Sequence, residues 1–241
     1  MDFFSMLLNK IMSPSGNTSS NELDVFMKIT NASSLFYGAK SFPTKAVVNL
    51  PNATNIGLAF SEWDSNSIPM VEEIIVNAPN VSNSVKDNTD SVFGMNKCIE
   101  KVVLNIPNET KYLYKAFTNC SASEIVLNFS TKNVVQYDYA FRQCSGLKKI
   151  IGVLDFSSAT NVTNMFLSCT NLEEVTFAPN TLSISISLAN SSKLSTESVQ
   201  SIIDGLATVE TAQNLTLHTS VFDKLTEEQF LTIQAKNWNV L

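Results

Sequence analysis

A hexapeptide recurs three times at a fixed spacing, and that repetition limits what the chain can fold into. The copies are residues 47–52 (VVNLPN), 75–80 (IVNAPN) and 103–108 (VLNIPN), whose Asn49, Asn77 and Asn105 stand 28 residues apart. A second signature carries the period onward: Phe, then Cys or Asn, then an aliphatic, then Ile or Val, each three residues after the last. It reads Phe93/Asn96/Ile99/Val102, Phe141/Cys144/Leu147/Ile150 and Phe166/Cys169/Leu172/Val175. Phe117/Cys120/Ser123/Val126 fits with one weak position, and the phenylalanines step by 24, 24 and 25 residues. Such self-similarity marks a repeat architecture: one unit cannot bury its apolar side alone, and stacked units share a continuous core.

Leu172-x-x-Val175-x-Phe177-x-x-Asn180 matches the leucine-rich-repeat pattern, and the period lies in its range of about 20–29 residues. Each repeat then supplies one strand and a return segment. Cys120, Cys144 and Cys169 fall at equivalent inward turn positions, where a small apolar residue with a weak donor fits as a buried free thiol. A disulfide between stacked neighbours is the alternative. Cys98 lies two residues from Asn96, which holds the ladder position in its repeat. The expected fold is an α/β solenoid of the leucine-rich-repeat kind. It has a curved parallel β-sheet, an irregular or short-helical convex side, and two helices in the C-terminal repeats.

Four segments follow. Residues 1–12 are apolar, with Phe3, Phe4, Leu7, Leu8 and Ile11 on offer, and read as a segment that caps the first repeat or docks the chain into an assembly. Residues 13–22 (SPSGNTSSNE) read as a polar linker. Residues 23–180 form the solenoid, with a first strand over 23–30. Residues 181–241 read as more helical repeats that extend the same sheet and close it. There Ser195 is an N-cap flanked by the Leu194/Val199 staple, and Val199, Ile202, Ile203 and Leu206 share one helical face. Thr226/Gln229 is a capping box with a Leu225/Phe230 staple, and residues 215–218 and 238–241 are short strands.

Charged residues are only 16% of the chain, the net charge is -6, and no Lys/Arg run occurs. Nucleic-acid binding needs a basic footprint and is excluded. The polarity comes from Asn, Ser and Thr, which suits uncharged polar partners such as glycans or another protein. No stretch approaches the roughly 18 apolar residues of a membrane span. The N-terminus lacks the basic start and small-residue cleavage site of a signal peptide. His218 is the one histidine, and nothing near it in sequence supplies a nucleophile or an orienting group. No metal-ligand spacing and no Gly-rich phosphate loop occur, so no cofactor, no metal and no enzymatic activity are expected. The Asn-x-Ser/Thr sequons are those of an Asn-rich chain and matter only in a eukaryotic secretory pathway.

Strand alternation proposes a register. If Val48 and Leu50, Ile74 and Val76, Val102 and Leu104, and Val175 and Phe177 point inward, the outward row is Val47, Asn49, Ile75, Asn77, Val103, Asn105, Val126, Asn128, Asp155 and Thr176. This aliphatic and amide stripe on the concave face is the expected partner-binding surface. Alternatively, the asparagines satisfy local backbone groups at the strand ends. Asn52, Asn80, Asn108 and Asn180 read as turn or ladder residues.

The Phe-x-x-Cys-x-x-Leu-x-x-Ile/Val units resemble the BspA-like leucine-rich repeats of bacterial surface proteins, over roughly residues 30–180. The tail from Leu194 to Leu241 looks like the closing segment of such proteins from gut Firmicutes and their phages. An apolar start, a polar linker and then repeats resemble a phage virion protein, such as a tail or head fibre. The resemblance implies adhesion, with a protein or glycan partner on a host or bacterial surface, an extracellular location on a virion or cell, and no catalysis. The alternative is a structural or decoration protein of the particle, contacting virion proteins through residues 1–12 and no external receptor. A homo-oligomer is compatible with either.

Overall fold

The structure is a computed structural model that describes residues 22–23, 29–66, 69–82 and 89–241. The calls on residues 1–12 and 13–21 lie outside the described residues. Seven strands pair in parallel, in chain order: β1 (Glu22–Leu23), β2 (Lys45–Asn49), β3 (Glu73–Asn77), β4 (Lys101–Asn105), β5 (Glu124–Leu127), β6 (Lys149–Leu154) and β7 (Glu174–Phe177). Each strand lies beside its neighbour in sequence, coil upon coil, which is the expected solenoid. Two boundaries move. Glu22 belongs to β1 and not to the linker, and residues 29–30 are not in a strand.

The inward set is the one that alternation predicts: Val48, Leu50, Ile74, Val76, Val102, Leu104, Val175 and Phe177 are all buried. One ladder assignment is corrected. In the fourth copy Ile125, not Val126, pairs with Ile150 and is buried, and Ala122 fills the core where Ser123 was placed. That coil is one residue shorter between its phenylalanine and its strand, so a fixed nine-residue count lands on the wrong face.

Opposite the sheet runs a column of stacked rings. Phe36, Phe60, Phe93, Phe117, Phe141 and Phe166 follow one another at centroid separations of 5.1, 5.1, 5.6, 5.4 and 5.8 Å, with planes 18° apart or less. Each ring sits in a tight turn between two left-handed residues. The pairs are Ser34/Gly38, Leu58/Glu62, Ser91/Met95, Lys115/Asn119, Tyr139/Gln143 and Asn164/Ser168, all with φ between 48° and 64°. For an ordinary side chain that conformation costs about 1–2 kcal/mol. The turns hold it by bonding to the next coil: Phe36, Phe60, Phe93 and Phe117 donate their N–H groups to Ala59, Val92, Ala116 and Ala140 at 2.8–2.9 Å. A chain with only seven glycines thus makes the same bend six times, because stacking satisfies the bent backbone.

Three residues after four of the rings, at Trp63, Asn96, Cys144 and Cys169, the side chain bridges the coils. Asn96 Nδ2 donates to the Phe60 carbonyl at 2.7 Å, and the Cys144 and Cys169 thiols point at the carbonyls of Phe117 and Phe141 at 2.9 and 3.0 Å. Asn96 and the cysteines suit this position because each supplies a donor inside an apolar column. All four cysteines are free and buried. Burial pushes the Cys120 thiol up to about 11, the Cys169 thiol up to about 12, and that of Cys144 well above its ordinary value. The thiolate is the reactive form. Native protein is therefore expected to resist iodoacetamide at pH 8, and unfolded protein to take up four equivalents, as read by intact mass. Labelling of Cys144 before unfolding contradicts this packing.

The C-terminal part departs from expectation. Its strands β8 (Ile186–Leu188), β9 (Gln213–Leu217) and β10 (Trp238–Val240) do not extend the first sheet but form a separate parallel one. Three helices, not two, accompany them: α1 (Thr196–Gly205), α2 (Thr219–Phe222) and α3 (Glu227–Ala235). The cause lies in α1, which takes the place of an eighth strand. Ser195 N–H donates to the Glu173 carbonyl at 2.9 Å, and the Ser198 and Ser201 hydroxyls accept from Val175 and Phe177 N–H at 3.0 and 2.9 Å. Helix and strand meet closely, since a Cβ on Gly205 would lie 2.7 Å from Phe177 Cβ. A helix offers no strand edge, so the first ladder ends there. Pairing resumes in β8, and just after it Ser191 Oγ donates to the Cys169 carbonyl at 3.2 Å, tying the second sheet to the last coil of the first. The predicted caps are present: Ser195 accepts from Ser198 N–H, and Thr226 and Gln229 form the capping box. The apolar face of Val199, Ile202, Ile203 and Leu206 is buried.

Candidate functional site: the open face of the sheet

Three parallel rows cross the outward face of β2–β7. The middle row is aliphatic: Val47 pairs with Ile75, Ile75 with Val103, Val103 with Val126 and Val126 with Ile151. At β6 the strand carries two extra residues relative to β7, so that Lys149 faces Glu174 but Val153 faces Thr176. An even insertion keeps the side-chain alternation in phase. The row therefore gains a second aliphatic, and Ile151 and Val153 are 43% and 52% exposed. Gly152 makes the bulge possible: its φ is +119°, and a Cβ there would lie 2.7 Å from the Leu127 carbonyl oxygen. Across about 4.8 Å per strand, the row is roughly 25 Å long.

On one side runs an amide ladder. Asn77 Nδ2 donates to Asn49 Oδ1 at 2.7 Å, Asn105 Nδ2 to Asn77 Oδ1 at 2.6 Å, and Asn128 Nδ2 to Asn105 Oδ1. The side chains bond chiefly to one another, which neither sequence reading of these residues anticipated. Asp155 does not join them. Its carboxylate closes a local turn, accepting from the N–H and Oγ of Ser157 at 2.9 and 2.6 Å. Asn80 and Asn108 serve the turns as expected: Asn80 donates to the Pro51 carbonyl and Asn108 accepts from Ser130 N–H. Asn180 takes a left-handed turn conformation.

On the other side runs a charge ladder that the repeat reading missed. Lys45, Glu73, Lys101, Glu124, Lys149 and Glu174 open successive strands with strictly alternating sign. Lys101 meets Glu73 at 3.0 Å and Lys149 meets Glu174 at 2.7 Å, while Lys45 reaches Glu72 at 3.2 Å. The partner carboxylates raise the Lys101 and Lys149 ammonium groups above their ordinary values. These pairs are solvent-exposed and individually worth little. Their alternation was legible in the sequence two residues before each outward aliphatic.

Elsewhere little chemistry gathers. His218 caps α2, its Nδ1 accepting from Ser220 N–H at 3.1 Å. Among the described residues no group of three or more His, Cys, Asp or Glu could hold a metal ion, and no helix is long and apolar enough to cross a membrane. The family described as "Mycoplasma protein of unknown function, DUF285" matches residues 111–202, from the approach to β5 into α1. No curated protein and no solved structure matches the chain.

Proposed function

We propose that this chain is a non-catalytic binding module that docks a protein on the open face of β2–β7, displayed on a bacterial surface or a phage particle. The observation that carries this is the aliphatic row itself. A contiguous apolar stripe left in water and rimmed by polar groups is the usual mark of a protein-binding surface. Here Val47, Ile75, Val103, Val126, Ile151 and Val153 lie in one line between a charge ladder and an amide ladder. The amides that a sugar would need are engaged with one another, which favours a protein over a glycan. The likeness of the coils to BspA-like repeats supports display at a surface.

The test is retention of the purified chain on a panel of gut bacteria, on the same cells shaved with protease, and on a glycan array. Val103→Thr/Val126→Thr/Ile151→Thr is run beside it, since threonine keeps the β-branching at all three positions and the shape at the two valines. The expected result is retention of wild type on intact cells and not on shaved ones, a blank array, and about tenfold weaker retention of the variant at unchanged melting temperature. No retention of wild type on any cell, or equal retention of the variant, overturns the proposal.

A further inference from the structure

We infer that, away from its cell-surface partner, this face closes on a second copy of the same chain, docked about a two-fold axis parallel to the strands, so that self-association and docking compete; the inference rests on the open face being the docking surface. The order of charge across the face, β2 to β7, is Lys45, Glu73, Lys101, Glu124, Lys149, Glu174. A two-fold axis along the strands, passing between β4 and β5, reverses the strand order while keeping each row on itself. Because the signs alternate over an even number of strands, reversal turns every lysine toward a glutamate. Lys45 meets Glu174 of the second copy, Glu73 meets Lys149, and Lys101 meets Glu124. An odd number of strands would set like charges together.

At the centre of the face the same operation brings apolar against apolar and amide against amide. Val103 lies over Val126, Ile75 over the Ile151–Val153 bulge, and Asn105 over Asn128. A two-fold interface is isologous, each patch meeting its own copy, so one surface must be complementary to itself. The charge row meets that condition over all six strands, and the aliphatic and amide rows meet it at the central β4–β5 pair. Face-to-face sheets pack about 10 Å apart, a gap that Lys and Glu side chains reach across. The patch presents at most three outward side chains on each strand, so its area lies toward the small end for specific interfaces, and the association is expected to be reversible and salt-sensitive.

The measurement is sedimentation equilibrium of the full chain from micromolar to millimolar concentration, at low and high salt. Wild type is expected to dimerise, more weakly in high salt. Glu73→Lys alone and Lys149→Glu alone are each expected to weaken dimerisation by more than about tenfold, since each sets like charges across the axis twice. Combining Glu73→Lys with Lys149→Glu restores the contact between copies. Within one chain it leaves Lys45 and Lys101 beside a like charge, and Glu124 and Glu174 likewise. Recovery in the combined variant therefore reports the contact between copies and not the ladder inside one. A monomeric wild type overturns the inference, as does a combined variant no better than the single ones. A monomer that still binds cells through Val103, Val126 and Ile151 leaves the docking reading standing, and one that binds nothing removes both.

Discussion

Phe117→Ala is expected to destabilise the chain by about 3–5 kcal/mol. Phe117 is fully buried, with rings 5.6 Å away on one side and 5.4 Å on the other. Truncation removes the transfer free energy of the ring and leaves a cavity in the column, and the coils cannot collapse into it. Their spacing is set by the β4–β5–β6 hydrogen bonds on the opposite wall. The loss is a large part of the roughly 5–15 kcal/mol that folded domains have in total. In a solenoid, stability is close to a sum of coil terms and nearest-neighbour terms, so weakening one junction in the middle uncouples the two halves. Urea unfolding of the variant should then spread into two steps where wild type shows one. A loss under about 1 kcal/mol with a single sharp transition would mean that the ring column is not what couples the coils.

Ser198→Ala should cost about 1–3 kcal/mol, far more than an exposed helical serine would. The Ser198 hydroxyl accepts from Val175 N–H at 3.0 Å and donates to the Glu173 carbonyl at 3.1 Å. Its removal orphans the buried Val175 N–H of β7, while the Glu173 carbonyl keeps the Ser195 N–H, and β7 is the last strand of the sheet. An unpaired strand edge is also a template for further pairing. The variant is therefore expected to melt lower and to form β-rich aggregates on storage, with Ser198→Thr, which keeps the hydroxyl, recovering most of the stability. Thermal melts with light scattering decide the matter. Indifference to the alanine would mean that α1 packs on β7 by its apolar face alone.

Much of this was legible in the sequence, for reasons particular to each part. The 28-residue spacing of Asn49, Asn77 and Asn105 put those residues on adjacent strands in one register, and they are found there. Alternation then placed the core and open faces of β2–β4 correctly. Phe36 and Phe60 belong to the ring column but escaped the sequence signature. Phe60 to Phe93 is a step of 33 residues, because these N-terminal coils carry extra residues in their connections. The charge ladder escaped for another reason: a lysine or glutamate at a strand start reads as ordinary surface in any one coil. Only the alignment of six coils reveals the alternation.

The repeat period, the inward side chains, the helix caps and the column of buried thiols follow from the sequence alone, because each depends on residues a few positions apart or on a spacing that recurs. Whether the asparagines face a partner or each other did not follow. It depends on side chains 28 and 23 residues apart meeting at hydrogen-bond distance. Nor did the end of the sheet. The sequence shows a capped helix beginning at Thr196, but nothing local says that it lies against β7 as an eighth strand would. That is decided by Ser198 and Ser201 reaching the backbone of β7, and by Gly205 leaving room for Phe177. Once a helix holds that edge no strand can pair there, so the later strands form a sheet of their own.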